Sequence, residues 1–310
     1  MIALVAVVGP TAVGKSRAAL DLAERLGGEI VSADSRQVYR LMDIGTAKPT
    51  LQVRARVPHH LIDVVDPDEP FTLACYRDLA LAAIAGIHQR GKLPLLVGGS
   101  GLYVRAVTEG LTVPAVPPDP ALRLELEARA QSEGADILHR ELAAVDPASA
   151  QRIDPRNTRR VIRALEVWRR TGQPISRLQV VEPPPFRVLK LGLTAERGRL
   201  YNMIDQRVDR MMAAGFLEEV RGLVSKGYHW DLPSMSGLGY RQLGEYLRGE
   251  VDLETAVRKI KYGTHRYARQ QYTWFHLGDP VIRWFDVIEG YQPAVETLAH
   301  ELRSQLESGS

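Results

Sequence analysis

Ile2-Ala3-Leu4-Val5-Ala6-Val7-Val8-Gly9-Pro10-Thr11-Ala12-Val13-Gly14-Lys15-Ser16 is an apolar run that opens into a glycine-framed loop and then into a helical pattern. Its second half fits G-x-x-x-x-G-K-[ST] in full, in the strand-to-helix context that motif requires. The glycines let the backbone curl so that several N–H groups face phosphate oxygens, and the helix N-terminus adds partial positive charge. Lys15 is then placed to neutralise a terminal phosphate, and Ser16 to set a hydroxyl on a bound Mg²⁺. Gly9, Thr11, Ala12, Val13, Gly14, Lys15 and Ser16 are therefore the diphosphate-binding candidates, with Ser16 the metal-ligating one. The motif specifies a phosphate or diphosphate binder and leaves the reaction open.

Working outward, short runs rich in Val, Ile and Leu recur at 29–33, 60–65, 93–98 and 188–193, with helical patterns between most of them. Continuous rather than alternating hydrophobicity indicates a parallel sheet covered on both faces. The expected class is α/β, a P-loop NTPase-like sheet with helices on both sides. Ligands of such sheets gather at the carboxyl ends of the strands, where Gly9, Asp34, Asp66 and Gly98-Gly99-Ser100 stand. Asp34 has two readings: a carboxylate facing the cradle that takes a proton or holds Mg²⁺ through water, or an N-cap for the segment after it. Gly98-Gly99-Ser100-Gly101 is either a plain strand-to-helix turn, the better reading, or a place where backbone and the Ser100 hydroxyl approach a ligand.

At 310 residues and 45% apolar, the chain is long enough for a substantial core with a second module. A net charge of only +3 means that any nucleic-acid partner must be argued from where cations cluster. The single Cys75 excludes an intrachain disulfide and a C-x-x-C zinc pair, and fits a reducing cytoplasm. The first apolar run lacks a preceding basic region and leads into the P-loop, so it reads as a core strand rather than a signal peptide. No run approaches the ~20 apolar residues of a membrane span. The adjacent His59-His60 point to opposite faces of an extended segment and make a poor chelate. Asp63, Asp66, Asp68 and Glu69 lack calcium-loop spacing and read as a solvated turn.

Proline clusters at 114–120 and 183–185 mark linkers. Between them, 117–186 looks almost wholly helical and is bounded by sheet strands, so the expectation is a helical insertion in a discontinuous core of 1–116 and 187–310. Within it, 151–174 carries seven arginines against Asp154 and Glu166. At about 100° per residue, Arg156, Arg159, Arg160, Arg163 and Arg170 share one face, opposite Val161, Leu165 and Trp168. Such a stripe fits a phosphate backbone or is merely solvated. Residues 197–226 read as helical, and Ser236-Gly237-Leu238-Gly239-Tyr240-Arg241-Gln242 opens the next helix. Residues 253–275 read as one long helix mixing cations with Tyr262, Tyr267, Tyr272, Trp274 and Phe275, suited to RNA or simply amphipathic. The last helix repeats Val295, Leu298, Leu302 and Leu306 before Ser308-Gly309-Ser310.

Taken in order, the P-loop, Ser32-Ala33-Asp34-Ser35, Met42-Asp43-Ile44-Gly45-Thr46-Ala47-Lys48-Pro49, Pro58-His59-His60-Leu61, Val97-Gly98-Gly99-Ser100-Gly101-Leu102-Tyr103, Arg163-Ala164-Leu165-Glu166-Val167, Gly239-Tyr240-Arg241-Gln242 and Gln271-Tyr272-Thr273-Trp274-Phe275 resemble the bacterial tRNA dimethylallyltransferases over nearly the whole chain. The resemblance implies transfer of the dimethylallyl group of dimethylallyl diphosphate to the exocyclic amino nitrogen of the adenosine 3′ to the anticodon, releasing diphosphate. It implies Asp34 as general base, and Lys15, Ser16 with Mg²⁺, the loop amides and Arg241 as the groups that meet the leaving diphosphate. It further implies that Asp34, Ser35, Arg36, Gln37 and Ser100 contact tRNA near a flipped base, and that Arg159, Arg160 and Arg163 grip the anticodon stem-loop. The expected protein is a cytoplasmic monomer with no membrane partner. Ala268-Arg269-Gln270-Gln271 departs from the family's Ala-Lys-Arg-Gln, placing Gln270 where a cation is expected. The zinc-binding extension of the eukaryotic forms is absent, so Mg²⁺ is the one metal expected.

The main rival is a small-molecule P-loop kinase that uses the insertion as a lid and consumes ATP. A third reading, an RNA-binding protein whose P-loop only senses nucleotide, leaves Asp34 without a role.

Overall fold

The computed structural model describes residues 3–307, apart from 113, 115, 180 and 289. The expectations for Met1, Ile2 and the last three residues, and for the side chains of Leu302 and Leu306, fall outside what is described. The chain divides into two compact units, residues 1–108 with 184–310, and residues 109–183.

The first unit opens with β1 (Ala3–Val8), α1 (Lys15–Leu26), β2 (Gly28–Ser32), α2 (Leu51–Arg56), β3 (His59–His60), α3 (Leu73–Gln89), β4 (Leu93–Val97) and α4 (Gly101–Thr108). The second unit holds α5 (Pro120–Glu133), α6 (Ala135–Val145), α7 (Pro147–Arg152), α8 (Thr158–Thr171) and α9 (Ile175–Leu178). The first unit resumes with β5 (Arg187–Thr194), α10 (Arg197–Ala213), α11 (Phe216–Ser225), α12 (Tyr240–Leu247), α13 (Leu253–Gln271), β6 (Ile282–Asp286) and α14 (Gln292–Glu307).

Among the described residues the strands form one sheet in the order β3-β2-β4-β1-β5-β6, parallel throughout. β1 lies between β4 and β5, with Val5 opposite Leu95 and Leu189. Its apolar run is continuous because both faces are covered. Val5 and Val7 pack with Ala18, Ala19 and Leu22 of α1 and with Leu200 and Ile204 of α10. Leu4, Ala6 and Val8 pack on the other face with Tyr76, Ala80 and Ile84 of α3 and Val104 and Val107 of α4. Residues 4–8 have no accessible surface, and each large apolar side chain so buried contributes roughly 2 kcal/mol.

Several expected elements are revised. The run at 60–65 is not a strand: β3 stops at His60, because Leu61 and Asp63 take left-handed backbone (φ 63° and 57°) and Asp63 is held by Lys48 and Arg54 at 2.6 Å each. Residues 197–226 form two helices, parted at Gly215 with φ 96°. α13 ends at Gln271 rather than 275, where the chain turns so that Phe275 enters the core beside α3. β6 has no counterpart among the expected strands. It extends the sheet beyond β5, with Lys190 opposite Ile282 and Thr194 opposite Asp286.

The helical unit packs around Leu126, Leu138, Leu142, Val161 and Leu165. Among the described residues two of its carboxylates are fully buried, Asp146 and Glu166, and Glu166 accepts from the Asp119 N–H at 2.7 Å, from Arg123 at 2.8 Å and from Arg163 at 2.5 Å. Burial pushes its pKa up, but these donors outweigh burial and hold it at about 2.

Candidate active site

The cradle stands at the carboxyl end of β1. Gly9 has φ 133°, and a Cβ there would run into the Leu193 carbonyl of β5, so the chain can cross its neighbour only as glycine. Ala12 also takes left-handed backbone, φ 68°, at a cost of about 1–2 kcal/mol that the loop must offset elsewhere. Val13 supplies one anchor: its side chain is buried in the core between sheet and α1. Gly14 (φ 101°) then turns the chain into α1, whose first N–H groups have no intrahelical partners. Ser16, in that first turn, is exposed.

Lys15 donates to the Pro10 carbonyl at 2.7 Å, folding its ammonium back over the loop. It keeps some accessible surface but is ringed by protein. That burial, with the neighbouring Arg207 guanidinium, lowers its pKa to about 7, while Asp34 pulls the other way. Arg207, on α10, donates to Thr11 Oγ1 at 3.3 Å. Lys15 thus feels both Arg207 and Asp34, and Arg207 feels Asp34 and its helix neighbour Arg210. Nothing in the sequence around Arg207 marks it; it sits mid-helix in an ordinary amphipathic pattern, and only the fold brings it to Thr11. Arg241, the expected cation, lies exposed in the first turn of α12.

Asp34 follows β2, and no helix starts directly after it, since α2 begins at Leu51 with Thr50 as its cap. One carboxylate oxygen, Oδ1, accepts the Arg36 N–H at 2.8 Å, a local Asx-turn bond. Among the described residues that is its one hydrogen-bond donor, and its charge is felt by Lys15 and Arg207. Tyr76, Tyr103 and Tyr267 lie close enough to feel the same carboxylate. Burial, reinforced by that negative charge, raises all three hydroxyls, that of Tyr267 to about 12, so they stand neutral as donors. Tyr76 and Tyr103 stack at 3.8 Å, and the Tyr267 hydroxyl lies beside Ser100. Ser100 Oγ in turn accepts the Ser35 N–H at 3.0 Å, joining the loops after β2 and β4.

Other expected RNA contacts are engaged within the protein. Arg36 donates to the Pro233 carbonyl at 2.6 Å, and to the Ser234 carbonyl and Ser236 Oγ at 3.3 Å each. Gln37 accepts from Ser32 Oγ at 3.0 Å and donates to the Thr46 carbonyl at 3.2 Å. In the helical unit Arg163 serves Glu166 and the Val116 carbonyl, whereas Arg159 and Arg160 are exposed. The five-arginine stripe is shorter than expected, because Arg156 precedes α8 and pairs with Asp154 at 2.7 Å, and Arg170 reaches Asp119 at 3.4 Å. The glycines at 98, 99 and 101 admit protein rather than open space: Cβ atoms there would strike Ala33, Gln271 and Trp274.

A parallel sheet with a glycine-framed loop at the carboxyl end of β1 leading into a helix, and a lysine, an arginine and a carboxylate gathered beside it, has the make-up of a P-loop enzyme. Residues 37–277 match the family described as IPP transferase, and residues 2–57 the one described as isopentenyl transferase. The chain is 59% identical over 275 residues to the tRNA dimethylallyltransferase of Roseiflexus castenholzii, covering 89% of this chain and 90% of that one. With the enzyme of the same description from Thermomicrobium roseum it shares 51% over 308 residues, 99% and 93% of the two chains. Among solved structures, the tRNA isopentenylpyrophosphate transferase of Bacillus halodurans superposes with TM-score 0.73 at 43% identity, over 99% of this chain and 98% of that one. A eukaryotic dimethylallyltransferase described as acting on tRNA superposes with TM-score 0.81 at 26% identity, over 100% of this chain and 80% of that one. The chain belongs to the IPP transferase family.

Proposed function

We infer that the protein is a tRNA dimethylallyltransferase, moving the dimethylallyl group from dimethylallyl diphosphate to the exocyclic amino nitrogen of the adenosine 3′ to the anticodon. The observation that carries the reading is the joining of Lys15, Arg207 and Asp34 at one cradle in a chain that matches tRNA dimethylallyltransferases over nearly its full length. In the transfer, the bond between the allylic carbon and the diphosphate oxygen breaks and a carbon–nitrogen bond forms. The electron pair leaves with the diphosphate, and the amino proton goes to Asp34. An amine conjugated to a purine is a weak nucleophile, so a carboxylate with one oxygen fixed by the Arg36 N–H and the other available raises its reactivity. Lys15, Arg207, the amides of residues 12–16 and the exposed hydroxyl of Ser16 receive the leaving group. Arg241 joins them once substrate is bound.

The oxygen donors of Ser16 and of Asp34 through water suit a hard divalent cation, so Mg²⁺ is assigned here; bound, it would neutralise charge on the diphosphate oxygens. Ser35, Arg36, Gln37 and Ser100 frame the acceptor base. Arg36 and Gln37 do so through the loops they hold rather than as free heads. The helical unit contacts the anticodon stem-loop through Arg159 and Arg160, with Arg163 fixing the helix that presents them. The enzyme works as a monomer in the cytoplasm, where its tRNA is. Among the described residues no helix is long and apolar enough to cross a membrane. A small-molecule kinase with a helical lid is not favoured: the Roseiflexus and Thermomicrobium relatives are tRNA dimethylallyltransferases, and a kinase leaves Arg159 and Arg160 without a use.

The test is to incubate the protein with Mg²⁺, dimethylallyl diphosphate and an unmodified anticodon stem-loop, and weigh the RNA by mass spectrometry beside Asp34→Ala and Lys15→Ala. A prenyl mass gain lost in both variants is expected. No gain on any cognate RNA, with ATP turnover on a small acceptor, overturns the reading.

A further inference from the structure

The amide of Gln271 occupies a place that the transfer mechanism does not use. Gln271 is the last residue of α13 and is 3% exposed. Its Oε1 accepts the N–H of Thr11, inside the P-loop, at 2.7 Å, and its Nε2 donates to the Gly99 carbonyl, in the loop after β4, at 2.9 Å. The partners fix the orientation of the amide, since one is a donor and the other an acceptor. The fit extends to the neighbour: a Cβ on Gly99 would strike Nε2. One turn earlier on the same helix, Tyr267 lies beside Ser100, which accepts the Ser35 N–H. The end of α13 therefore spans the cradle and the loop that frames the acceptor.

We propose that Gln271 is a positioning residue that holds the P-loop in its diphosphate-binding form by clamping the Thr11 amide to the Gly99 carbonyl. The loop requires such a restraint, because Ala12 is kept in left-handed backbone directly after the clamped residue. With Thr11 N–H satisfied by Gln271, the amides beyond it are left to turn toward the anion. The proposal rests on the diphosphate-binding reading of the cradle and names a further residue on which that binding depends.

The test measures binding of inorganic diphosphate with Mg²⁺ by calorimetry, on the full chain, for the wild type and for Gln271→Leu, Gln271→Asn and Gln271→Glu. Leucine makes neither bond and asparagine is one methylene too short to span both partners. Either is expected to bind about tenfold more weakly, with the folded state checked by circular dichroism. The asparagine variant keeps the test decisive if the leucine one fails to fold. Gln271→Glu supplies a readout that simple loss of packing does not move. Protonated, the introduced carboxyl matches the amide, accepting from Thr11 and donating to Gly99; ionised, it faces the Gly99 carbonyl with a second acceptor. Its affinity relative to the wild type is expected to approach one at low pH and to fall about tenfold or more as the carboxyl ionises. Weakening of the glutamate variant alone, with leucine and asparagine at wild-type affinity, would mean charge repulsion and overturns the clamp. Wild-type affinity in all three overturns it too. A wild type that binds no diphosphate is a different result, which removes the cradle reading on which the clamp depends.

Discussion

Titrating diphosphate affinity against pH reads the charge on Lys15. Burial and the Arg207 guanidinium hold this lysine to about 7 in the free protein, against an ordinary 10.5. A diphosphate attracts only the ammonium form and, once bound, stabilises it, so the folded-state pKa rises on binding. Below about 7 the lysine is therefore already charged and affinity is full, and above it each binding event must draw a proton from solvent. With a free-state pKa of about 7, the lysine contributes a loss of about tenfold per pH unit above that value, and proton uptake rises from about 0.1 at about pH 6 to about 0.9 at about pH 8. Calorimetry in buffers of different ionisation enthalpy measures that uptake directly. Diphosphate titrates in the same range, so the comparison is with Lys15→Arg, whose guanidinium stays charged throughout. The ratio of wild-type to variant affinity cancels the ligand's own protons and should fall with pH, whatever the variant's absolute affinity. A ratio that is flat from about pH 6 to about pH 8.5 would refute the reasoning, because it would mean that Lys15 is fully charged before the anion arrives.

Asp34→Asn should lower the single-turnover rate on an anticodon stem-loop by about 10²–10⁴-fold, with much smaller effects on diphosphate affinity; equal losses in both would assign Asp34 to binding rather than proton transfer. Arg159→Ala and Arg160→Ala should each weaken RNA binding and flatten the slope of log affinity against log salt by about one, leaving diphosphate affinity unchanged, as filter binding at several ionic strengths would register. Glu166→Ala should destabilise the helical unit by about 3 kcal/mol, seen in urea unfolding, because it strands Arg123 and Arg163 around a cavity.

What the sequence discloses of the fold tracks how local the determining interaction is. The P-loop, β1, β4 and β5 are legible because a buried parallel strand needs an apolar run, and the cradle needs its glycines within eight residues. β6 hides because Arg283 and Asp286 interrupt Ile282, Trp284 and Phe285, and its single neighbouring strand, β5, asks for no continuous apolar run. The apolar run at 60–65 misleads because Leu61 and Asp63 take left-handed backbone, and Asp63 is held there by Lys48 and Arg54 from the loop and helix before it. The site divides in the same way. Lys15 and Asp34 carry local signals, while Arg207 reaches Thr11 across 196 residues of chain with none. The family resemblance marks Arg36 and Arg163 for RNA, whereas the structure uses both guanidinium groups to bond carbonyls and a carboxylate of the protein itself.

The helical unit begins and ends at the same point. Leu111 and Val181 form an antiparallel bridge, the Glu182 N–H donates to the Gly110 carbonyl at 3.0 Å, and a Cβ on Gly110 would collide with the Glu182 carbonyl. A segment whose entrance and exit touch imposes almost no loop-closure entropy on the chain that hosts it. It can be lengthened, exchanged with a relative's or cut out across Gly110 and Glu182 without stretching the backbone on either side. Selection is thereby free to reshape the helical unit and the sheet unit at separate rates, and the same seam is where a chimera of two relatives would be spliced.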